Sequence, residues 1–307
     1  MTTRHLGRLV QFLALAASVA ACTLPGAASP TPFTFPTPNL THTAIFAAQI
    51  TETPPEATPL PGETPIAPTP TGAAVVTALP SPTLSPLSSR PNGTPVTADY
   101  LAAAPTIDGV LTEWTTTAYT ANQVVFGAAS WTGTSDLSAT YYIGWDAGNL
   151  YLAAHVRDDR FVQVSTGRYL YKGDDVEIQL DTDLAGDYYS TGLSGDDYQI
   201  GLSAGDFGTR APEAYRWLPA ALEASQSAVT VAGRQTAEGY DIEARIPWSA
   251  FGLSPAGGSS YGFALSFSDN DLAGSAVQQS MVSSVGTRRY LNPTTWGTLI
   301  LARAGGS

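Results

Sequence analysis

The 307-residue sequence is short of the side chains on which most enzyme and metal chemistry rests. It has one cysteine, Cys22, three histidines and two methionines. A single thiol excludes an intramolecular disulfide and any zinc centre built on paired cysteines. His5 and His42 lie upstream of the region that reads as folded, so His155 stands alone there and a Ser-His-Asp relay has little to draw on. Basic residues are scarce as well: 14 Lys and Arg face 26 Asp and Glu, a formal charge of −12. A nucleic-acid partner, which needs a cationic surface, is not expected. The downstream region holds only six glutamates, Glu113, Glu177, Glu213, Glu223, Glu238 and Glu243. None is marked as a raised-pKa acid beside a nucleophile, so glycoside cleavage is a minor alternative and no catalytic residue is assigned.

What is present changes along the chain. Residues 1–21 carry Arg4 and Arg8 ahead of an apolar run from Leu9 to Ala21, the pattern of a secretory signal peptide rather than a spanning helix. The ending "VAAC" resembles a bacterial lipobox, with cleavage before Cys22 and acylation of its thiol. The chain is therefore expected outside the cytoplasm, held to a membrane by lipid on Cys22. Residues 22–97 hold 17 of the 23 prolines, among many Thr, Ser and Ala. Such composition cannot build a core and reads as a disordered, partly polyproline-II stalk. Its 75 residues after the cysteine would reach roughly 230 Å at about 3.1 Å each.

Residues 98–307 are expected to be the folded part. Short runs rich in β-branched and aromatic residues recur, bounded by Gly, Asp, Asn and Pro: "SATYYIGWD", "NLYLAAHVRDD", "DDVEIQLDTD", "DYQIGLSAGD", "YDIEARIPWSAFG", "YGFALSFSDND" and "WGTLILAR". Alternation of period two and the lack of helical periodicity predict an all-β, antiparallel two-sheet sandwich, jelly-roll-like. "GWDAGNLYL" predicts a hairpin, and "PWSAFGLSP" is the one segment expected to turn helically. The stretch Tyr171–Asp183 stands out. It has the alternation of a strand yet places Asp174, Asp175, Glu177, Asp181 and Asp183 in thirteen residues.

The ordered set "PTIDGVLTEW", "WDAGNLYLAAHVRDD", "GDDVEIQLDTD", "GYDIEARIPWSAFGL" and "NPTTWGTLIL" resembles the family 9 carbohydrate-binding modules and their DOMON-like relatives. The resemblance implies a sugar-binding sandwich with structural calcium and no covalent chemistry. It implies that Tyr171 and Tyr290 stand where two aromatic rings, usually Trp, enclose a sugar. Glu177 matches the acid that accepts hydrogen bonds from sugar hydroxyls. The family's arginine on the next strand is replaced by Gly201, with Gln199 or Arg288 as candidates to compensate. Trp114, Trp145, Trp248 and Trp296 fall in framework motifs and are expected in the core.

The remaining acids suggest a cation. Asp181, Asp183, Asp187 and Asp196 lie at a strand end and in the Gly-containing loop after it, which suits calcium and its six to eight oxygens; Asp174 and Asp175 read as residues shaping the turn before the strand. The expected partners are a mono- or oligosaccharide and the membrane, with the protein a monomer. Three alternatives stand beside this: a cell-surface scaffold or adhesion module that has lost its sugar, the enzyme noted above, and a haem-holding domain using Met281, His155 or Lys172.

Overall fold

The computed structural model describes residues 88–305. The expected signal peptide, Cys22 and most of the expected stalk lie outside them. Fourteen strands run in the order β1 Val96–Tyr100, β2 Tyr119–Ala121, β3 Gln123–Phe126, β4 Leu137–Trp145, β5 Asn149–Asp158, β6 Asp175–Asp181 and β7 Asp197–Ser203. β8 Glu213–Leu218, β9 Ala224–Ser225, β10 Thr230–Gln235, β11 Gly239–Pro247, β12 Ser260–Asp269, β13 Ser280–Ser283 and β14 Gly297–Leu301 complete them. The described part is almost entirely β, as the alternation predicts.

One sheet runs β10-β11-β5-β4, with β2 also paired to β4. The other runs β9-β8-β7-β6-β12. β12 is ten residues long, and its far edge serves two partners: β14 along Ser260–Phe263, then β13 along Ser266–Asp269. β3 adds to β13. These pairs are antiparallel, as expected. β1 departs from the pattern: Val96–Ala98 pair parallel with β14 and Asp99–Tyr100 pair parallel with β4, so one strand stitches the sheets into a curled mixed sheet. The expected boundary at residue 98 falls inside β1, and packing begins earlier still: Arg90 is buried. The short strands β1, β2, β3 and β13 carry no alternation long enough to read from sequence.

Between the sheets lie Leu137, Tyr141, Ile143 and Trp145 of β4, Leu150, Leu152 and Val156 of β5, and Val176, Ile178 and Leu180 of β6. Ile200 and Leu202 of β7 and Phe263, Leu265 and Phe267 of β12 complete the layer. Each set recurs at i, i+2, which puts it on one face of its strand, and each such side chain removed from water contributes about 1.5–3 kcal/mol. Trp114, Trp145, Trp248 and Trp296 are all buried, as expected. The predicted β4–β5 hairpin turns on Asp146, whose Oδ1 accepts from the N–H groups of Gly148 and Asn149. "WSAF" makes the expected helical turn, in 3-10 form, at Trp248–Phe251.

β6 explains the acidic stretch. Its core face carries Val176, Ile178 and Leu180, and the opposite face carries Asp175, Glu177, Gln179 and Asp181. All seven residues are nevertheless buried, because the second face is roofed by loops and by two arginines.

Candidate functional site

Two connections meet over that second face. The β5–β6 connection ends in a 3-10 turn, Gly167–Lys172, that carries Tyr171. The β13–β14 connection carries Arg288, Arg289 and Tyr290. With Val125, Phe126, Gln199, Trp217, Gln278 and Met281 they enclose a cleft of about 440 Å³ over Glu177, within the range of roughly 300–1,000 Å³ typical of small-molecule sites. Tyr171, Glu177, Gln199, Arg288 and Tyr290, separated by up to 119 positions, all line it.

Glu177 forms the floor, paired in register with Gly201 of β7. It faces away from the core, as its alternation predicts, but it is 3% exposed rather than solvated. Its Oε2 accepts from Gln199 Nε2 at 2.6 Å and from Arg288 Nη2 at 3.1 Å, while its Oε1 has no hydrogen-bond partner among the described residues. A carboxylate can only accept, so the Gln199 amide nitrogen must face it and the amide oxygen must face elsewhere. That oxygen is buried without a partner. Glu177 Oε1 is therefore the acceptor that the floor holds without a protein donor, the complement of a hydroxyl.

Arg288 supplies the guanidinium that β7 lacks. It is 6% exposed; its Nε donates to Gln179 Oε1 at 2.6 Å and its Nη1 points at Met281 Sδ at 3.1 Å. Gln179 Nε2 in turn donates to the Tyr290 carbonyl at 3.2 Å, which ties the segment bearing the second tyrosine to the strand bearing the acid. Burial raises the Glu177 carboxyl, and the charge of Arg288 and the Gln199 hydrogen bond work against that rise. Burial also raises the Tyr290 phenol, with the negative Glu177 adding to it. Asp175 lies further along the same face, and neither of its oxygens is bonded. Burial first, then repulsion from Glu177, drive its carboxyl well above the usual range.

Trp217 lies outside the motifs that the sequence singles out. It lines the cleft edge-on to Tyr171, with centroids 6.3 Å apart and planes at 74°. Its Nε1 donates to the Arg168 carbonyl at 2.8 Å. A Cβ at Gly201 would overlap the indole. A glycine inside a strand is the signal for such a close approach.

Of the expected cation ligands, Asp181, Asp187 and Asp196 gather, each offering an oxygen within 4.8 Å of the others. Asp183 is not among them; its Oδ1 accepts from the Gly186 N–H. Asp181 also has a cationic partner already, Arg90 Nη2 at 2.5 Å. A larger group lies elsewhere. Asp136, Asp158, Asp159, Asp174, Asp269 and Asp271 form overlapping triads drawn from the start of β4, the end of β5, the start of β6 and the end of β12. Asp158 Oδ2, Asp269 Oδ1 and Asp271 Oδ1 are buried without partners. Burial and then repulsion from neighbouring aspartates push Asp158 to about 7, and burial pushes Asp269 to about 6. Asp174 belongs here: its Oδ2 accepts from Val162 N–H and its Oδ1 from Asn270 N–H at 3.1 Å. Asp174 is thus a buried acceptor that ties two connections together, and Asp175 is a buried residue of β6 rather than a turn former. The groups proposed for haem stand in other company: His155 Nδ1 lies 2.7 Å from Asp241 Oδ1, and Met281 contacts Arg288.

Comparison with known proteins gives three results. Residues 107–304 match the family described as "Carbohydrate family 9 binding domain-like". No curated protein matches the chain. Among solved structures, the chain is similar to a family 9 carbohydrate-binding module from Caldicellulosiruptor kristjanssonii in complex with cellotriose, at 19% identity and a TM-score of 0.52. That match covers 69% of this chain and 95% of that one. A second structure of a family 9 module from the same organism, in complex with glucose, matches at 19% identity and a TM-score of 0.51, over 70% and 99% of the two chains. At these identities the likeness concerns the fold.

Proposed function

The chain belongs to the carbohydrate family 9 binding domain-like family, and we propose that it is a non-catalytic carbohydrate-binding module, displayed outside the cell on a stalk anchored through lipidated Cys22. The observation that carries the binding role is the convergence of Tyr171, Glu177, Gln199, Arg288 and Tyr290 on one cleft. The tyrosines offer flat apolar faces to the C–H groups of a sugar ring, and the unpartnered Oε1 of Glu177 receives a hydroxyl. The similar modules hold cellotriose and glucose, which makes a glucose-based mono- or oligosaccharide end the first ligand to try. Isothermal titration of the purified chain with glucose, cellobiose, cellotriose and xylose is expected to give saturable heat that Tyr290→Ala and Glu177→Gln diminish. No heat with any saccharide, from folded protein, selects the scaffold reading instead. For the anchor, Cys22→Ser is expected to move the protein from the membrane to the soluble fraction; unchanged partition overturns it.

Calcium fits the acidic groups. The donors are all carboxylate oxygens, and the Asp158–Asp174–Asp269 group leaves buried oxygens without partners, which a hard cation satisfies and a hydrogen-bond network does not. Asp158, Asp174 and Asp269 would hold it, with Asp136, Asp159 and Asp271 beside them, and Asp181, Asp187 and Asp196 form a second candidate. The ion would cross-link the end of β5 in one sheet to β6 and β12 in the other. It has no part in bond-making chemistry.

A further inference from the structure

The cleft differs from a two-ring slot at the position where the family carries an arginine, and the difference is built by two residues that sequence alone does not connect. Gly201 of β7 lies opposite Glu177, and β8 brings Trp217 across it. The indole rests where any side chain at 201 would stand, since a Cβ there overlaps it. The ring's one polar atom is turned out of the cleft and bonded to the Arg168 carbonyl. What remains toward the cleft is apolar surface, edge-on to Tyr171. The guanidinium that would have stood at 201 reaches Glu177 from Arg288 instead.

We propose that Trp217, seated on Gly201, is a ligand-contacting and specificity-determining residue: a third aromatic wall that makes a corner with Tyr171 and takes a C–H-bearing face of the bound sugar where a hydrogen-bonding arm would otherwise stand. This rests on the carbohydrate-binding reading of the same cleft. Trp217 lines the cleft and is only half-buried, unlike Trp248 and Trp296 in the core, and a large ring exposed inside a concave site is placed to meet a ligand.

The test uses the full chain, with cellobiose as the probe followed by calorimetry and by tryptophan fluorescence. Saturable heat from the wild type with cellobiose, or failing that with another of the saccharides named above, establishes that the chain binds sugar; its absence with all of them overturns both the reading and the proposal. Given that heat, Trp217→Ala is expected to weaken binding by about tenfold or more, the equivalent of ~1.4 kcal/mol. Trp217→Phe, which keeps a flat face, is expected to retain most of the affinity while the sugar-induced fluorescence change disappears. Gly201→Ala deletes no ring but displaces the indole, and is expected to weaken binding several-fold. Trp217→Ala, Trp217→Phe and Gly201→Ala variants that bind cellobiose like the wild type, with fluorescence still responding in Trp217→Phe, would overturn the proposal while leaving the carbohydrate-binding reading intact.

Discussion

Glu177 is held between two demands that oppose each other as pH changes. In its proposed ligand role it accepts hydrogen bonds from hydroxyls, most strongly in the ionised form. As a buried group its carboxyl is raised above the ordinary value of about 4.3, by desolvation against the pull of Arg288 and Gln199. The groups facing it are Arg288, Gln199, Asp175 and Tyr290. Sugar affinity is therefore expected to fall on acidification, by up to about tenfold per pH unit below its pKa, starting above the range of an exposed glutamate. Folding stability runs the other way: the folded state holds this proton more tightly than the unfolded chain, so the residue's contribution is greatest in acid and fades as pH rises through the raised pKa. Titrations from pH 4 to 7 should show the affinity trend in the wild type and a weak, flat profile in Glu177→Gln. A wild-type profile as flat as the mutant's would mean the carboxylate is not a ligand group. Arg288 is the companion case. Arg288→Met leaves Glu177 buried without its counter-charge, a loss of about 3–5 kcal/mol by analogy with other broken buried pairs, readable as a lower denaturant midpoint together with lost sugar binding.

At the scale of elements, what the sequence discloses depends on how far apart the cooperating residues lie. The long strands were legible because β4, β5, β6, β11 and β12 each repeat apolar residues at i, i+2. Tyr171 and Glu177 were legible because both lie within one motif. The Asp158–Asp174–Asp269 group was not, because its members end or begin three different strands and look in sequence like ordinary turn residues. Trp217 was not legible for the same reason, since its place depends on the β7–β8 register over Gly201. The aspartate group also reaches the cleft over Glu177. Asp174 secures Val162 and Asn270, and Asn270 Nδ2 donates to the carbonyls of Lys172 at 3.3 Å and Ser275 at 2.7 Å. Lys172 closes the turn that carries Tyr171. Chelation is therefore expected to lower the melting temperature and weaken sugar binding together. With calcium at about 100 times its dissociation constant the stabilisation is ~2.7 kcal/mol, or about 5–10 °C for a domain of this size. Asp158→Asn should remove the response to calcium, and without calcium it should melt no lower than the wild type because mutual repulsion is relieved. Scanning calorimetry with EGTA and then with added calcium reads all of this; unchanged melting on chelation would leave the group without its ion.

At the scale of the whole molecule, the question is where the folded part begins, and a single side chain decides it. Composition runs proline-rich up to residue 97, yet Arg90 is 2% exposed. Its Nη2 meets Asp181 Oδ2 at 2.5 Å, its Nη1 donates to the Tyr188 carbonyl at 2.7 Å, and its backbone N–H donates to Thr298 Oγ1 at 2.8 Å. The guanidinium also lies 5.1 Å from the centre of the Tyr188 ring. Asn92 adds hydrogen bonds from Nδ2 to the carbonyls of Thr294 and Trp296, beside the segment that bears Tyr290. Composition cannot reveal this, because prolines on either side of an arginine read as linker whether or not the arginine is swallowed by a domain. Asp181 is the fixed point: it is fully buried at the exit of β6, its carboxyl raised by desolvation and by the nearby Asp187 and drawn down by the Arg90 hydrogen bond. A fragment of residues 88–305 is accordingly expected to unfold in one cooperative transition. A fragment starting at residue 98 loses both the ion pair and the Val96 and Thr97 rungs of β1, and should be less stable by several kcal/mol. Arg90→Ala within the longer fragment isolates the pair, at about 3–5 kcal/mol if Asp181 stays buried. Guanidinium denaturation of the three proteins compares them directly. Equal midpoints for fragments 88–305 and 98–305 would mean that the fold does not need the residues before 98, and that Arg90 rests on the domain without holding it.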